Sequence, residues 1–362
     1  MLNKDLLKKI FFVLLASIML AVPVSAQQPA APQRIPYITA VRGAVRNLPG
    51  IVEMDDEIEN LQSTRDDLRS LLELRRAADT ITRQEETIMQ RNIAEIGAAI
   101  TTMRATQEMI RTGTELELRF SIITIQNTFL DIKLLEATLE MDQSNFHVAE
   151  LRFGAGLISE IDLREVEMAM EQRESSLASA RLSLENERQN LNRILQRPVT
   201  GNFYVSFERN LINLPEDLTR HIRQTASSQP DIRILATQRD RARALVSDED
   251  VPFGSTEHRT RERAYNQAVR VYNEARRNLE TNIRNHYNNL NMMMYSISSL
   301  EIELQQRSEQ FEAVVLNYQA GLATRFDIQR TELAVLMAEI EIERSLNNLW
   351  NAQFLFQNPF LL

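Results

Sequence analysis

One short pattern occurs twice in this chain, and it restricts the fold more than any other feature of the sequence. Residues 151–162 read LRFGAGLISEID and residues 316–327 read LNYQAGLATRFD. When Gly156 is aligned with Gly321 (321 − 156 = 165), apolar positions also match on both sides of the pattern. The matching pairs include Ile132 with Ile297, Leu135 with Leu300, Leu139 with Leu304, Phe146 with Phe311, Leu163 with Ile328 and Leu177 with Ile342. The match predicts an internal duplication, in which one structural unit occurs twice.

The residues around each pattern favour long helices. No proline lies between Pro49 and Pro198, and glycine is rare in that interval, so little interrupts a helix there. Apolar residues recur at intervals of three, four and seven, which is the spacing of a coiled-coil seam. Long helices are therefore expected from about 91 to 153 and from about 256 to 318. The predicted fold class is all-α, with two tandem repeats of long antiparallel coiled-coil hairpins and little or no β-structure.

Each copy of the pattern predicts a helix end that is followed at once by a helix start. Gly156 suits the left-handed conformation that closes a helix C-terminus, and Leu157 is expected to fold back onto that helix as in a Schellman cap. Ser159 and Asp162 have the residue types that cap the first amides of a new helix. The second copy has Gly321, Leu322, Thr324 and Asp327 at the same places. The two patterns therefore predict two antiparallel hairpin tips.

At these residues the sequence resembles the TolC-like outer-membrane efflux proteins, whose two halves each carry an aromatic-x-x-G-L-x-(S/T)-x-x-D tip. Phe153 and Tyr318 supply the aromatic residue of that motif here. The segments VRNLPGI at 45–51 and ASSQPDI at 226–232 are similar to the family's repeat openings. The resemblance extends over about residues 35 to 358. It implies a homotrimer in which three chains build a 12-helix tunnel, together with a periplasmic adaptor and an inner-membrane pump as partners.

The resemblance also implies a docking site, because the adaptors of this family meet the channel at the hairpin tips. Ile158 and Ala323 are expected to be more exposed than the neighbouring leucines and to face the adaptor. The residues assigned to this site are Gly156, Leu157, Ile158, Ser159, Asp162, Gly321, Leu322, Ala323, Thr324 and Asp327.

The chain departs from the family where the relatives insert two β-strands per repeat to close a barrel in the outer membrane. A lipid-facing strand needs about 9–11 residues with alternate positions apolar, and neither candidate segment has that pattern. Residues 69–90 are helix-like, with a break at 79–82 where Thr82 and Glu85 have capping-box spacing. Residues 246–263 form a polar loop in this interpretation. The barrel strands are therefore expected to be absent, which leaves open whether the chain inserts in an outer membrane.

The remaining segments define the predicted domains. Residues 1–26 have the charged start, apolar run and V-S-A end of a cleavable signal, with a permanent N-terminal anchor helix as the alternative. Repeat 1 is assigned to residues 35–199, a connector to 200–211 and repeat 2 to 212–358. The alternating residues of 203–207 favour an extended connector over a short strand. Export to the cell envelope, either to the periplasm or to the outer membrane, is expected.

Composition excludes several function classes. The chain has no cysteine, which removes disulfides and thiolate metal sites, and its net charge of −9 does not favour nucleic acid. The four histidines lack a metal-binding spacing, and no catalytic triad or phosphate loop is present. No catalytic, cofactor-binding or metal-binding residues are therefore assigned. The favoured function is a conduit of an efflux or secretion system. The alternative is a structural coiled-coil spacer or an adaptor-like scaffold of the envelope.

Overall fold

The computed structural model describes residues 33–46, 48–199, 201, 203–247 and 251–362. The predicted signal, residues 1–26, lies outside the described residues. About 85% of the described chain is helical and about 2% is in strands. The predicted fold class is confirmed.

Eight helices, two short strands and one 3-10 turn make up the described chain. The first half contains β1 (Gln33–Pro36), α1 (Tyr37–Arg46), α2 (Pro49–Ala77), α3 (Arg83–Gly154) and α4 (Glu160–Ile194). The second half contains β2 (Phe203–Ser206), α5 (Leu218–Ser228), α6 (Pro230–Val246), α7 (Thr256–Gln319), α8 (Arg325–Gln357) and the 3-10 turn Pro359–Leu361. Helix α3 has 72 residues and α7 has 64, so the two long helices dominate the fold.

Helix α3 starts earlier than its apolar pattern predicted. Thr82 caps it in a complete capping box with Glu85, which confirms that break in the sequence but places the helix start at Arg83 instead of about residue 91. The hydroxyl of Thr82 accepts a hydrogen bond from the Glu85 amide at 3.2 Å, and the Glu85 carboxylate accepts one from the Thr82 amide at 2.9 Å. Capping fixes a helix end more sharply than periodicity does.

The duplication is visible in the hydrophobic cores. Leu118 of α3 and Ile283 of α7, which are 165 residues apart (283 − 118), are both 0% exposed. Leu191 of α4 and Phe356 of α8 have the same separation and are both buried. Each pair has one member in each of two core clusters, the first formed by α1, α3, α4 and the strands, the second by α5, α6, α7 and α8. The offset seen at the hairpin patterns therefore continues into the core.

The segment that was interpreted as an extended connector forms strand β2, so that prediction was wrong. Strand β2 pairs in parallel with β1, with Gln33 opposite Phe203 and Ile35 opposite Val205. Phe203, Val205 and Ile35 are buried in the first core cluster. The alternating apolar residues indicated a strand, but its partner lies at the far end of repeat 1, and no local signal links the two segments.

Helix α3 is the centre of the helical layer. It packs against α2 and α4, and it also packs against α6 and α8, which in turn pack against α7. Across the layer, α2 and α4 therefore share the first position, α3 takes the second, α6 and α8 share the third, and α7 takes the last. The outer flank of α2 and α4 and the outer flank of α7 have no substantial contact with another helix of the described chain.

Polar contacts fix the alignment of neighbouring helices. Between α3 and α4, Arg173 lies 3.3 Å from Asp142 and Arg181 lies 2.8 Å from Glu136. Between α3 and α8, the amide of Asn347 donates to Asn127 at 3.1 Å. Among the described helices, none combines the length and the hydropathy that a membrane span requires.

Candidate functional site at the hairpin tips

Both long helices end in the same backbone arrangement. At the first tip Gly156 has φ +71°, the Leu157 amide donates to the Arg152 carbonyl at 2.9 Å, and the Gly156 amide donates to the Phe153 carbonyl at 2.8 Å. These two bonds define a Schellman motif, with the positive φ at the residue that follows the cap. The glycine supplies that φ without the strain that a Cβ would introduce.

The second tip repeats this arrangement. Gly321 has φ +76°, the Leu322 amide donates to the Asn317 carbonyl at 2.8 Å, and the Gly321 amide donates to the Tyr318 carbonyl at 3.0 Å. The predicted helix stops are therefore confirmed at both tips.

A capping box starts the next helix at each tip. The Ser159 hydroxyl accepts from the Asp162 amide at 3.2 Å, and the Asp162 carboxylate accepts from the Ser159 amide at 2.9 Å. Thr324 and Asp327 make the same two bonds at 3.2 Å and 3.0 Å. Only two residues separate each glycine from the capping hydroxyl, so the chain reverses direction in a very short turn.

The capping bonds also act on the aspartate carboxyls. Bonds from the Ser159 amide and then from its hydroxyl hold the pKa of Asp162 below its ordinary value. For Asp327 the hydroxyl of Thr324 is the larger cause of the lowered pKa, followed by the Thr324 amide, and Arg330 adds a smaller effect. Both carboxylates are therefore charged at neutral pH, next to the positive end of a helix dipole.

The apolar residues of the tips differ from what the sequence suggested. Each leucine was predicted to fold back onto its helix, and that prediction was wrong. Leu157 is 73% exposed and Leu322 is 79% exposed. Ile158 and Ala323, which were predicted to be the more exposed pair, are half-buried. The physical reason is that the Schellman bonds involve only the backbone, so they close the helix wherever the leucine side chain points.

The exposed apolar surface at each tip is larger than the predicted site. Phe153 and Tyr318, which supply the aromatic residue of the motif, are both exposed. They lie in the last turn before the glycine, whereas the returning helix begins only after the capping hydroxyl, so no seam partner covers them. Further exposed apolar residues near the tips are Leu151, Ile161, Leu316 and Phe326.

The two tips lie at the same end of the molecule. Helix α8, which starts at the second tip, packs along α3, which ends at the first tip, and Gln329 donates to the Ser144 hydroxyl at 3.2 Å. The structure therefore brings both copies of the predicted site to one end of the helical layer. In the part of the chain that the structure describes, no group of three or more His, Asp or Glu residues is arranged to hold a metal ion.

Comparison with solved structures identifies the fold. The outer membrane protein VceC of Vibrio cholerae aligns with a TM-score of 0.60 over 89% of this chain and 96% of its own, at 11% identity. The Campylobacter jejuni CmeC outer membrane channel aligns with a TM-score of 0.61 over 89% of this chain and 85% of its own, at 13% identity. CusC, whose crystal structures concern its folding and transmembrane channel formation, aligns with a TM-score of 0.63 over 92% of this chain and 96% of its own, at 13% identity.

These matches rest on structure alone. No family profile matches the chain, and no curated protein matches it in sequence. The chain has the fold of TolC-like outer membrane channels, so the predicted resemblance is confirmed at the level of the fold.

Proposed function

We propose that this protein is the conduit subunit of an efflux or secretion system that crosses the cell envelope. The observation that carries the proposal is the pair of capped hairpin tips at one end of a helical layer with two uncovered flanks. Its fold, shared with solved outer membrane channels, supports the same function. A conduit needs no catalytic group, so this function is not that of an enzyme.

Assembly into a ring follows from the uncovered flanks. On the tip side, each chain offers α4 at one flank and α7 at the other, and both helices carry exposed apolar residues such as Met168, Leu182 and Tyr295. Joining α4 of one copy to α7 of the next covers both flanks only when the ring closes. Four helices per copy and three copies give a ring of 12 helices. The proposed assembly is therefore a homotrimer with a passage along its axis.

The tips are the proposed docking site for a periplasmic adaptor, which connects the conduit to an inner-membrane pump. Leu157 and Leu322 project from rigid, doubly capped turns, and Phe153 and Tyr318 extend the apolar surface behind them. Exposed apolar groups that cluster on an ordered frame are typical of a protein interaction site. We infer an apolar tip-to-tip contact with the helical hairpins of the adaptor, after export of the chain to the envelope.

The docking test places a charge at the apolar tips. The double variant Leu157→Asp and Leu322→Asp should remain folded, since both side chains are largely exposed, but it should lose adaptor binding and export, because a carboxylate would be desolvated in the contact. The matched control is Leu74→Asp on α2, another exposed leucine on the half away from the tips. Ile158 and Ala323 are poorer targets because they are half-buried.

Binding is measured by crosslinking in the native host. The chain contains no cysteine, so Leu157→Cys, Leu322→Cys and the control Leu74→Cys each introduce a single reactive thiol. Adaptor crosslinks should form from the two tip positions and not from the control. If the tip aspartates leave export intact and crosslinks form only from the control, the tips are not the docking site and a spacer function becomes the better interpretation.

A further inference from the structure

A row of arginines follows the half of α7 that lies away from the tips. Arg263, Arg270, Arg277 and Arg284 are spaced by seven residues and all four are exposed. Seven residues correspond to two helical turns, so the four side chains share one stripe. We call these four residues the arginine stripe.

The arginine stripe faces away from the rest of the chain. The opposite side of α7 contacts α6, where Arg239 lies over the Tyr272 ring at 4.4 Å and Arg261 donates to the Leu245 carbonyl at 2.9 Å. Helical periodicity places the stripe on the far side of α7 from Tyr272. The stripe therefore lies on the uncovered flank of the helical layer.

These arginines lack acidic partners within the part of the chain that the structure describes. Arg270 donates to the Gln267 side chain at 2.6 Å, which is a neutral group. No described carboxylate lies within ion-pair distance of Arg263, Arg277 or Arg284. Ion pairs between residues four apart do occur on the same helix, as between Arg261 and Glu257. Glu274 lies one helical turn from both Arg270 and Arg277 and offsets part of their charge, but residues 256–284 carry seven arginines and four glutamates, so this half of α7 is net positive.

The other uncovered flank carries the opposite charge. Helix α2 has eight acidic residues and four basic residues. Its buried face, which contains Ile51 and Ile58, packs on α3. Glu53, Asp56 and Asp67 are exposed and lie on the side of α2 opposite that buried face. We call these three residues the acidic flank.

The acidic flank and the first two arginines of the stripe lie at the same height along the layer. Contacts between α2 and α3 extend from the pair Asp55 and Gln107, 2.8 Å apart, to the ion pair of Arg76 with Glu86. The repeat offset that aligns the buried cores of α3 and α7 makes Arg263 and Arg270 equivalent to Ala98 and Ala105 of α3. Both positions fall inside the stretch of α3 that α2 covers.

We propose that the arginine stripe binds the acidic flank of a second copy of this chain. The contact would form in the half of the ring away from the tips, between α7 of one copy and the antiparallel α2 of the next. It would make the α7 flank of each copy bind the α2 flank of its neighbour. This inference rests on the proposed trimer. Complementary charges at heptad-spaced flanking positions set partner choice and orientation in coiled coils, and they also speed association.

The tip half offers no such attraction. Helix α4 has eight acidic and five basic residues, and residues 285–319 of α7 have four glutamates and one arginine. Both flanks of that half are therefore acidic, and the contact there depends on apolar groups. The charge attraction is confined to the half away from the tips. Salt weakens that attraction and also screens the repulsion between the two acidic flanks of the tip half, so the two halves of the contact respond to salt with opposite signs.

The first test is salt. Raising the salt concentration from about 0.05 M to about 0.5 M shortens the screening length from roughly 14 Å to roughly 4 Å. The trimer of the mature chain should dissociate more readily by about tenfold or more over this range, measured by sedimentation velocity. A chain that is monomeric at both concentrations would overturn the proposed conduit itself. A trimer whose affinity responds to salt no differently from that of the variant with Arg263→Glu, Arg270→Glu and Arg277→Glu would overturn only the charged contact, because the tip half is the same in both chains.

The second test reverses the charges. Changing Arg263, Arg270 and Arg277 to Glu should weaken the trimer by about tenfold or more at low salt, while circular dichroism shows unchanged helix. Adding Glu53→Arg, Asp56→Arg and Asp67→Arg in the same chain exchanges the two charges and should restore assembly. The control is Arg220→Glu, Arg223→Glu and Arg241→Glu, the same change in charge on exposed residues of α5 and α6.

Restoration by the exchange is the decisive outcome. If the exchanged chain assembles no better than the first variant, or if the control weakens the trimer equally, the contact between stripe and flank does not exist. A general effect of net charge would be reversed by the exchange as well, because the exchange returns the net charge to its original value, but it would act equally in the control. An unaffected control together with restoration by the exchange therefore identifies the specific contact.

Discussion

The two ends of the repeats differ in how closely the two copies match. At the tip end, both repeats have the same Schellman bonds, the same positive-φ glycine and the same capping box. At the opposite end, the first repeat turns from α2 into α3 through residues 78–82, whereas the second leaves α6 after Val246 and enters α7 at Thr256. Helix α2 has 29 residues and α6 has 17. The tip is fixed by local backbone chemistry, whereas the opposite end tolerates a change of length.

The first repeat shows how loosely the opposite end is specified. Helix α2 also ends in a Schellman motif, with the Thr80 amide donating to the Arg75 carbonyl at 3.0 Å and the Asp79 amide donating to the Arg76 carbonyl at 3.2 Å. The residue at positive φ there is Asp79, at +51°, and not a glycine. The same motif is therefore built with the favoured residue at the tips and with a strained one away from them.

The largest expected effect tests whether the two repeats are equivalent where they differ least. Leu118→Ala and Ile283→Ala each open a cavity at a fully buried position. Each should destabilise the protein by about 2–5 kcal/mol, measured by urea unfolding at equal protein concentration, and the two losses should be similar.

Leu74→Ala at an exposed position of α2 is the control and should change little. If one core alanine costs less than about 1 kcal/mol while the other costs several, the repeats are not energetically equivalent in spite of the shared offset.

Local signals made the tips predictable, and the lack of them explains what was missed. Gly156, Ser159 and Asp162 act within a few residues of one another, so the sequence alone identified the helix stop and the helix start. The pairing of β1 with β2 joins residues at opposite ends of repeat 1, and nothing near Phe203 indicates Gln33 as its partner. The exposure of Leu157 depends on what covers the tip, which a backbone motif does not determine.

A smaller effect separates the two kinds of helix end. Gly156→Ala should destabilise the first tip by about 1–2 kcal/mol, because a Cβ is unfavourable at positive φ. An added Cβ would meet no atom within 4 Å, so the strain comes from the backbone alone. Asp79→Gly should act in the opposite direction and stabilise the protein by roughly 0.5 kcal/mol, since glycine relieves the strain but also loosens the unfolded chain.

Thermal unfolding at equal protein concentration checks both changes. Gly113→Ala in the interior of α3 serves as the control, because a helical glycine with ordinary φ should be stabilised by alanine. If Gly156→Ala raises the melting temperature as the control does, the left-handed cap contributes nothing to the stability of the tip.

The smallest effect distinguishes the two tips from each other. The capping bonds lower the pKa of both Asp162 and Asp327, but only Asp327 also has an arginine beside it, Arg330 at 3.5 Å. A carboxyl whose pKa is lower in the folded state contributes stability that is present above its unfolded pKa, about 3.9, and that is lost as the pH falls through the folded pKa. The capping boxes should therefore hold at neutral pH and weaken only below about pH 4.

Arg330→Gln should raise the pKa of Asp327 towards its ordinary value and leave that of Asp162 unchanged. Carbon-13 NMR titration of labelled aspartate carboxyls, assigned with Asp162→Asn and Asp327→Asn, measures both values in the same sample. Equal shifts of the two carboxyls in the Arg330 variant would mean that the arginine acts on both tips and not on Asp327 alone.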